Sequence, residues 1–140
     1  MNIDKYKHQH IDILGGINAL RRLSRAGVEG NAQEIATRLV SLSSVVRMHL
    51  AVEDRFLYPS VEGLGDRALA EMSRRYRADM ADIASSYLEF AARWNTAAQL
   101  TANSADFRAE ANVALRRVFD RMERENREFY PAIEAVAVTA

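Results

Sequence analysis

The chain has no cysteine, so it can build no disulfide framework, iron–sulfur cluster or thiolate metal site. Any bound metal must rely on histidine, carboxylate or backbone ligands. Only 2 prolines and 6 glycines interrupt its 140 residues, too few for many turns or for a low-complexity, disordered chain. That scarcity of breakers favours helices. Net charge is missing as well: 19 basic residues balance 19 acidic ones, leaving no global field to draw in nucleic acid or an anionic membrane. The clusters Arg21 with Arg22, Arg74 with Arg75, and Arg116 with Arg117 read as solvated helix faces. No charge-free run approaches the roughly 18 apolar residues of a membrane span. Residues 1–8 carry charges where a secretory signal needs an apolar core. The expected setting is the cytoplasm, with neither membrane nor nucleic acid as partner. There is no glycine-rich phosphate loop and no nucleophile elbow. Histidine is also scarce, with 3 in the whole chain.

What is present is helical periodicity. Ile3, Tyr6, Ile13, Ile17 and Leu20 recur at helical spacing and include His10 in their stripe. Gly27 and Gly30 should close this first helix, and Asn31 with Glu34 reads as a capping-box-like start for the second. The second helix runs toward Pro59 with an inward series of Ile35, Leu39, Leu42, Val45 or Val46, His49, Glu53 and Phe56. After a turn around Gly63 and Gly65, a third series follows at Leu69, Met72, Tyr76, Met80, Ile83, Tyr87, Phe90 and Trp94. The polar, uncharged stretch from Asn95 to Ser104 suits a connection or a frayed helix end. A last helix from about Ala105 points Leu115, Val118, Met122, Glu125 and Phe129 inward and ends near Pro131. Four helices with short connections imply an all-α, antiparallel up-down four-helix bundle. A single domain over residues 1–140 is expected, made of helical hairpins at about 1–62 and 66–134.

An internal repeat supports this arrangement. Residues 53–62 align without gaps on residues 125–134, with Glu, Arg, Tyr, Pro and Glu identical at an offset of 72 residues. Each Tyr-Pro is expected to help terminate its helix and cap the apolar seam, because proline lacks an N–H and biases its predecessor away from α geometry. The repeated Glu is harder to explain by packing, since a carboxylate on an apolar stripe must find a cation, a proton or strong donors. His49 and Glu53, spaced i and i+4, project from one helix face and can reach a single ion. Antiparallel packing brings His10, His49, Glu53 and Glu125 together at one end of the bundle. Two imidazoles and two carboxylates are the ligand chemistry of non-haem iron, manganese or zinc, with carboxylates able to bridge two metals.

Carried by His10 with Ile13, by the segment from His49 through Glu53 to Tyr58 and Pro59, and by its echo from Glu125 to Tyr130 and Pro131, the chain resembles the hemerythrin-like (HHE cation-binding) domain family. The resemblance implies a four-helix bundle around a non-haem, usually di-iron, centre held by five histidines and two bridging carboxylates. It would make His10 and His49 terminal ligands and Glu53 and Glu125 the bridging carboxylates, with His8 a second choice on the first helix. The departures are as informative. Where the family places histidine on the third helix this chain has Tyr76 and Met80, both read as core packing, and on the fourth it has Arg121 or a neighbour. With 3 histidines the family's full complement is impossible, so a complete oxygen carrier of the hemerythrin type is not expected. The leading expectation is a metal-binding protein, not an enzyme, whose reduced site holds one or two irons, or manganese or zinc. It would sense or handle dioxygen, nitric oxide or redox state. The alternative is a metal-free bundle acting as a regulatory or protein-interaction module, in which Arg121 turns inward and its guanidinium replaces the metal's charge. A third reading, a carboxylate-bridged iron oxidase or peroxidase, would carry Tyr76 as a redox-active neighbour. Outer-face pairs are expected at Arg116 with Asp120, Asp120 with Arg124, Glu123 with Arg127, and Arg124 with Glu128. The aromatic end of the third helix, Tyr87, Phe90 and Trp94, could offer a homo-oligomer contact, although core packing explains the same residues.

Overall fold

In the computed structural model, which describes residues 1–139, the chain contains four long helices and no strand among the described residues. Helix α1 (Asp4–Ala26) buries Tyr6, His10, Ile13, Ile17 and Leu20 along one stripe, as the spacing dictates. It stops at Gly27, whose φ of 129° lies where a side chain would be strained and whose N–H closes onto the carbonyls of Leu23 and Ser24. A short 3-10 turn (Glu29–Asn31) leads into α2. The expected capping box does not form. The Asn31 side chain instead turns back, its Nδ2 donating to the Gly27 carbonyl at 2.8 Å, so it ties off the end of α1 and caps no N–H of α2.

Helix α2 runs Ala32–Val52, passes through a π-helical turn (Glu53–Leu57), and continues as Tyr58–Glu62. Helix α3 (Arg67–Trp94) is capped by Asp66, whose Oδ1 accepts the Leu69 N–H at 2.9 Å. The polar stretch that follows contains a short helix, α4 (Ala97–Ala102), anchored by the fully buried Leu100. Helix α5 repeats the plan of α2, with Ser104–Arg124, a π turn (Glu125–Phe129) and Tyr130–Thr139. Helix α1 packs on α2 and α5, and α3 packs on the same two, which closes the four into a bundle. Helix α2 with its extension is long and apolar enough to cross a membrane by length and composition alone. Here its apolar residues Ile35, Leu39, Leu42 and Val46 are buried among the other helices.

The two π turns overturn the expected helix ends. Neither Tyr-Pro terminates its helix. In each turn the N–H of the tyrosine bonds the carbonyl of the glutamate five residues back, Tyr58 to Glu53 and Tyr130 to Glu125. The widened turn spares the proline ring a clash with the carbonyl four residues earlier, and the helix restarts with proline in its first turn, where an N–H is not needed. The same widening changes the register. Phe56, expected inward, is 50% exposed, while Leu57 and Tyr58 are buried in its stead. At about 100° per residue in an α-helix Phe56 would follow Glu53 on the seam; the wider π turn rotates less per residue and leaves Phe56 short of it.

The core divides into two apolar clusters. One surrounds Ile17, Leu39, Tyr87, Phe107 and Leu115, and takes in Phe90 and Trp94, so the aromatic end of α3 is interior and presents no protruding contact. The other, made of Ile3, Tyr6, Leu57, Tyr58, Val61, Leu69, Tyr76, Phe129, Tyr130 and Ile133, draws on the two π turns and the helical extensions beyond them, together with the start of α1 and of α3. Full burial of each large apolar side chain contributes about 1.5–3 kcal/mol. Consequently the polar cluster described next does not lie at the open end of the bundle but is closed off by a second apolar plug.

Candidate metal centre

His10 from α1, His49 and Glu53 from α2, and Glu125 from α5 converge in the interior, all 0% exposed. One ligand atom from each lies within 4.8 Å of every other. The imidazole Nε2 atoms of His10 and His49 face one another at 3.1 Å, His49 Nε2 is 3.2 Å from Glu53 Oε1, and His10 Nε2 is 3.7 Å from Glu125 Oε1. Donors sharing one first-row ion at ordinary bond lengths sit about 3.0–3.4 Å apart, so the three measured separations need only small adjustments. His8, the second choice on α1, lies on the exposed face with its Nδ1 against the Asp4 carbonyl at 2.8 Å, away from the cluster.

The second ring nitrogens both face side-chain amide oxygens. His10 Nδ1 bonds Asn126 Oδ1 at 2.8 Å, and His49 Nδ1 bonds Gln9 Oε1 at 2.6 Å. An amide oxygen only accepts, so each Nδ1 carries a proton outward and each Nε2 turns toward the cluster. Burial pushes His10 down to about 3, helped by the neighbouring His49 and by Arg121 and opposed by the Asn126 hydrogen bond; it is neutral near pH 7. Glu125 is driven the other way. Desolvation and the nearby Glu53 raise it well above the usual carboxylate range, although Arg121 pulls against them. Glu53 Oε1 and both oxygens of Glu125 have no hydrogen-bond partner. Buried carboxylate oxygens without hydrogen-bond partners beside two imidazole nitrogens suit a positive centre, and the donor set fits a divalent transition metal.

Tyrosine completes the shell. The Tyr130 hydroxyl lies 2.9 Å from His10 Nε2 and 3.2 Å from Glu53 Oε2, within reach of donating to either. Tyr58, its counterpart in the repeat, is buried beside the carboxylates; burial and the charges of Glu53 and Glu125 raise both phenols. The hydroxyl of Tyr76 points the opposite way, donating to Glu128 Oε2 at 2.8 Å while the ring stacks on Phe129, and Met80 is buried in the main core. Both therefore pack as expected, and Tyr76 is not poised as a redox neighbour of the cluster. Gln9, Asn126 and Tyr130 were not among the expected site residues. Gln9 and Asn126 adjoin His10 and Glu125 in sequence without any pattern to mark them. Tyr130 was marked by the repeat, but only as a helix cap.

Arg121 turns inward and is 4% exposed. Its Nε is 3.6 Å from Glu125 Oε1, its Nη2 donates to the Tyr76 carbonyl, and its Cζ lies 4.3 Å from the centre of the Tyr76 ring. Of the outer-face pairs on α5, Arg124 with Glu128 forms at 3.0 Å.

The family model for hemerythrin, the HHE cation-binding domain, matches residues 1–133. The chain belongs to this family. No curated protein and no solved structure matches it. The buried cluster of His10, His49, Glu53 and Glu125 is a group that could hold a cation, while the side chains of Tyr76, Met80 and Arg121 provide no imidazole.

Proposed function

We propose that the protein is a hemerythrin-like non-haem metal-binding protein, with iron as the metal and manganese or zinc acceptable to the same donors. His10, His49, Glu53 and Glu125 are the ligands. The observation that carries this reading is the pair of Nε2 atoms facing across 3.1 Å beside two buried carboxylates, with both Nδ1 atoms committed to amide oxygens. Gln9 and Asn126 act as the outer acceptors that orient ligating imidazoles and raise their basicity. Iron bound there would supply a change of oxidation state and free coordination positions. The chain's own residues determine what reaches it. Full burial of all four ligands and the apolar plug around Tyr58, Phe129 and Tyr130 favour a small diatomic over an organic substrate. Tyr130 stands within hydrogen-bond reach of two ligands and can hold a proton beside them. Sensing or handling dioxygen, nitric oxide or redox state in the cytoplasm follows as the role, and a regulatory protein partner would read out the change.

A second reading, the metal-free regulatory module, has the inward Arg121 in its favour. A lone guanidinium 3.6 Å from one Glu125 oxygen does not satisfy Glu53 Oε1 or separate the facing imidazoles. The test is the electron paramagnetic resonance spectrum of Fe(II)-loaded protein before and after anaerobic addition of nitric oxide. A new signal in the wild type that is missing in a folded His49→Ala variant supports the proposal. An unchanged spectrum in iron-loaded wild type rejects the diatomic-ligand role.

A further inference from the structure

Helices α2 and α5 carry the same device twice. At the offset of 72 residues Glu53 matches Glu125, Tyr58 matches Tyr130 and Pro59 matches Pro131, and both glutamates open a π turn. The match extends one turn further back. His49, four residues before Glu53, corresponds to Arg121, four residues before Glu125. The two halves thus differ at the position that supplies a neutral nitrogen donor. In α2 that position carries an imidazole with an available lone pair; in α5 it carries a guanidinium, which has none and stays charged.

Building on the metal-binding reading above, we infer that the Arg121 guanidinium takes the place of a second metal ion, so that the centre holds one ion per chain, on the His49 side. Three contacts hold the guanidinium in this position: Glu125 Oε1 near Nε, the Tyr76 carbonyl under Nη2, and the Tyr76 ring against its face. Its burial rules out a role as a solvated outer-face charge. The charges agree. Two carboxylates in a dry interior call for more than one positive charge, and one divalent ion with one guanidinium provides it without a second ligand set. An ion entering the cluster finds His10, His49 and Glu53 on one side and, from α5, Glu125 alone. A one-ion centre has one electron to exchange between Fe(II) and Fe(III), where a pair has two, which suits a sensor of redox state better than a carrier.

The test counts ions. Wild type and Arg121→His are loaded anaerobically with excess Fe(II), and separately with Mn(II), desalted and assayed by elemental mass spectrometry, with circular dichroism as the control for folding. The expected result is one ion per chain in the wild type, with an uncoupled Mn(II) resonance. Arg121→His, which restores the His49 spacing to α5, is expected to take two ions and give a spin-coupled Mn(II) spectrum. Two ions in the wild type overturn the inference and leave the metal-binding reading intact. One ion in a folded Arg121→His protein also overturns it. No ion in the wild type rejects the metal-binding reading itself and the inference with it. The wild-type count decides even if the variant does not fold.

Discussion

Removing the Asn126 side chain should weaken metal binding although Asn126 touches no metal. His10 is fully buried, and its Nδ1 proton has one acceptor, Asn126 Oδ1 at 2.8 Å. In Asn126→Ala that proton loses its partner, a change that costs about 1–3 kcal/mol when the donor stays dry. Because Asn126 is itself half-buried, water can enter, which places the stability loss at the low end, about 1 kcal/mol. The larger effect falls on the ion. With the acceptor gone, nothing fixes which nitrogen bears the proton or which way the ring faces, and loss of such an outer partner lowers metal affinity about 10–100-fold. Asn126→Asp should act in the opposite direction, since a carboxylate is a stronger acceptor and makes Nε2 more basic. The assay is competition for Zn(II) against a chromophoric chelator, with thermal unfolding of the metal-free proteins in parallel. Affinity within about twofold of wild type in a folded Asn126→Ala protein would refute the reasoning, because the effect assigned to such partners is about tenfold at least.

Other outcomes follow from the same geometry. Leu57→Ala should cost about 2–5 kcal/mol by opening a cavity, whereas Phe56→Ala, at an exposed position, should stay within about 1 kcal/mol; the reverse order in chemical denaturation would contradict the π-turn register. Arg121→Ala removes a buried guanidinium together with its contacts to the Tyr76 carbonyl and ring and should destabilise the metal-free protein by about 1–3 kcal/mol, and a neutral midpoint would show that the guanidinium is not held in the interior. The pH dependence of the metal-free protein should have two opposed parts. His10, lowered to about 3, binds fewer protons folded than unfolded, so stability is lost as pH falls from about 6.5 toward 3, by up to about 5 kcal/mol. Glu125, raised, binds its proton more tightly when folded, so stability is lost as pH rises above the unfolded carboxylate value of about 4.3. Since a metal needs the Glu125 carboxylate free of its proton, the rise in unfolding temperature on adding Zn(II) should shrink as pH falls, and an increment that grows toward acid would contradict this assignment.

Much of this was legible in the residues. Periodicity alone placed Ile13, Ile17, Leu39, Met80, Leu115 and Phe129 inside, because an amphipathic helix must bury its stripe whatever surrounds it. The four charged or imidazole positions on those stripes stood out for the same reason, since His10, His49, Glu53 and Glu125 have no place on an apolar seam without a shared purpose. What the residues hid was the consequence of the repeated Tyr-Pro. Proline rules predict a stop, and the widened turn that lets the helix pass through depends on backbone freedom that propensity does not record. From that error came two others, the inward Phe56, which assumes an unbroken α register, and the cluster at one end of the bundle, which assumes that both helices stop at Tyr-Pro. Gln9 and Asn126 were invisible because an amide beside a buried histidine is an ordinary surface residue until the neighbouring helix is placed.

The central claim, that the buried His and Glu cluster is a metal site, is tested most directly by the metal retained on anaerobic loading and desalting. The account predicts that wild-type protein loaded with Fe(II) keeps stoichiometric iron and that folded His49→Ala and Glu53→Ala proteins lose it. Wild-type protein of native helical content that retains no iron, manganese or zinc would contradict the account.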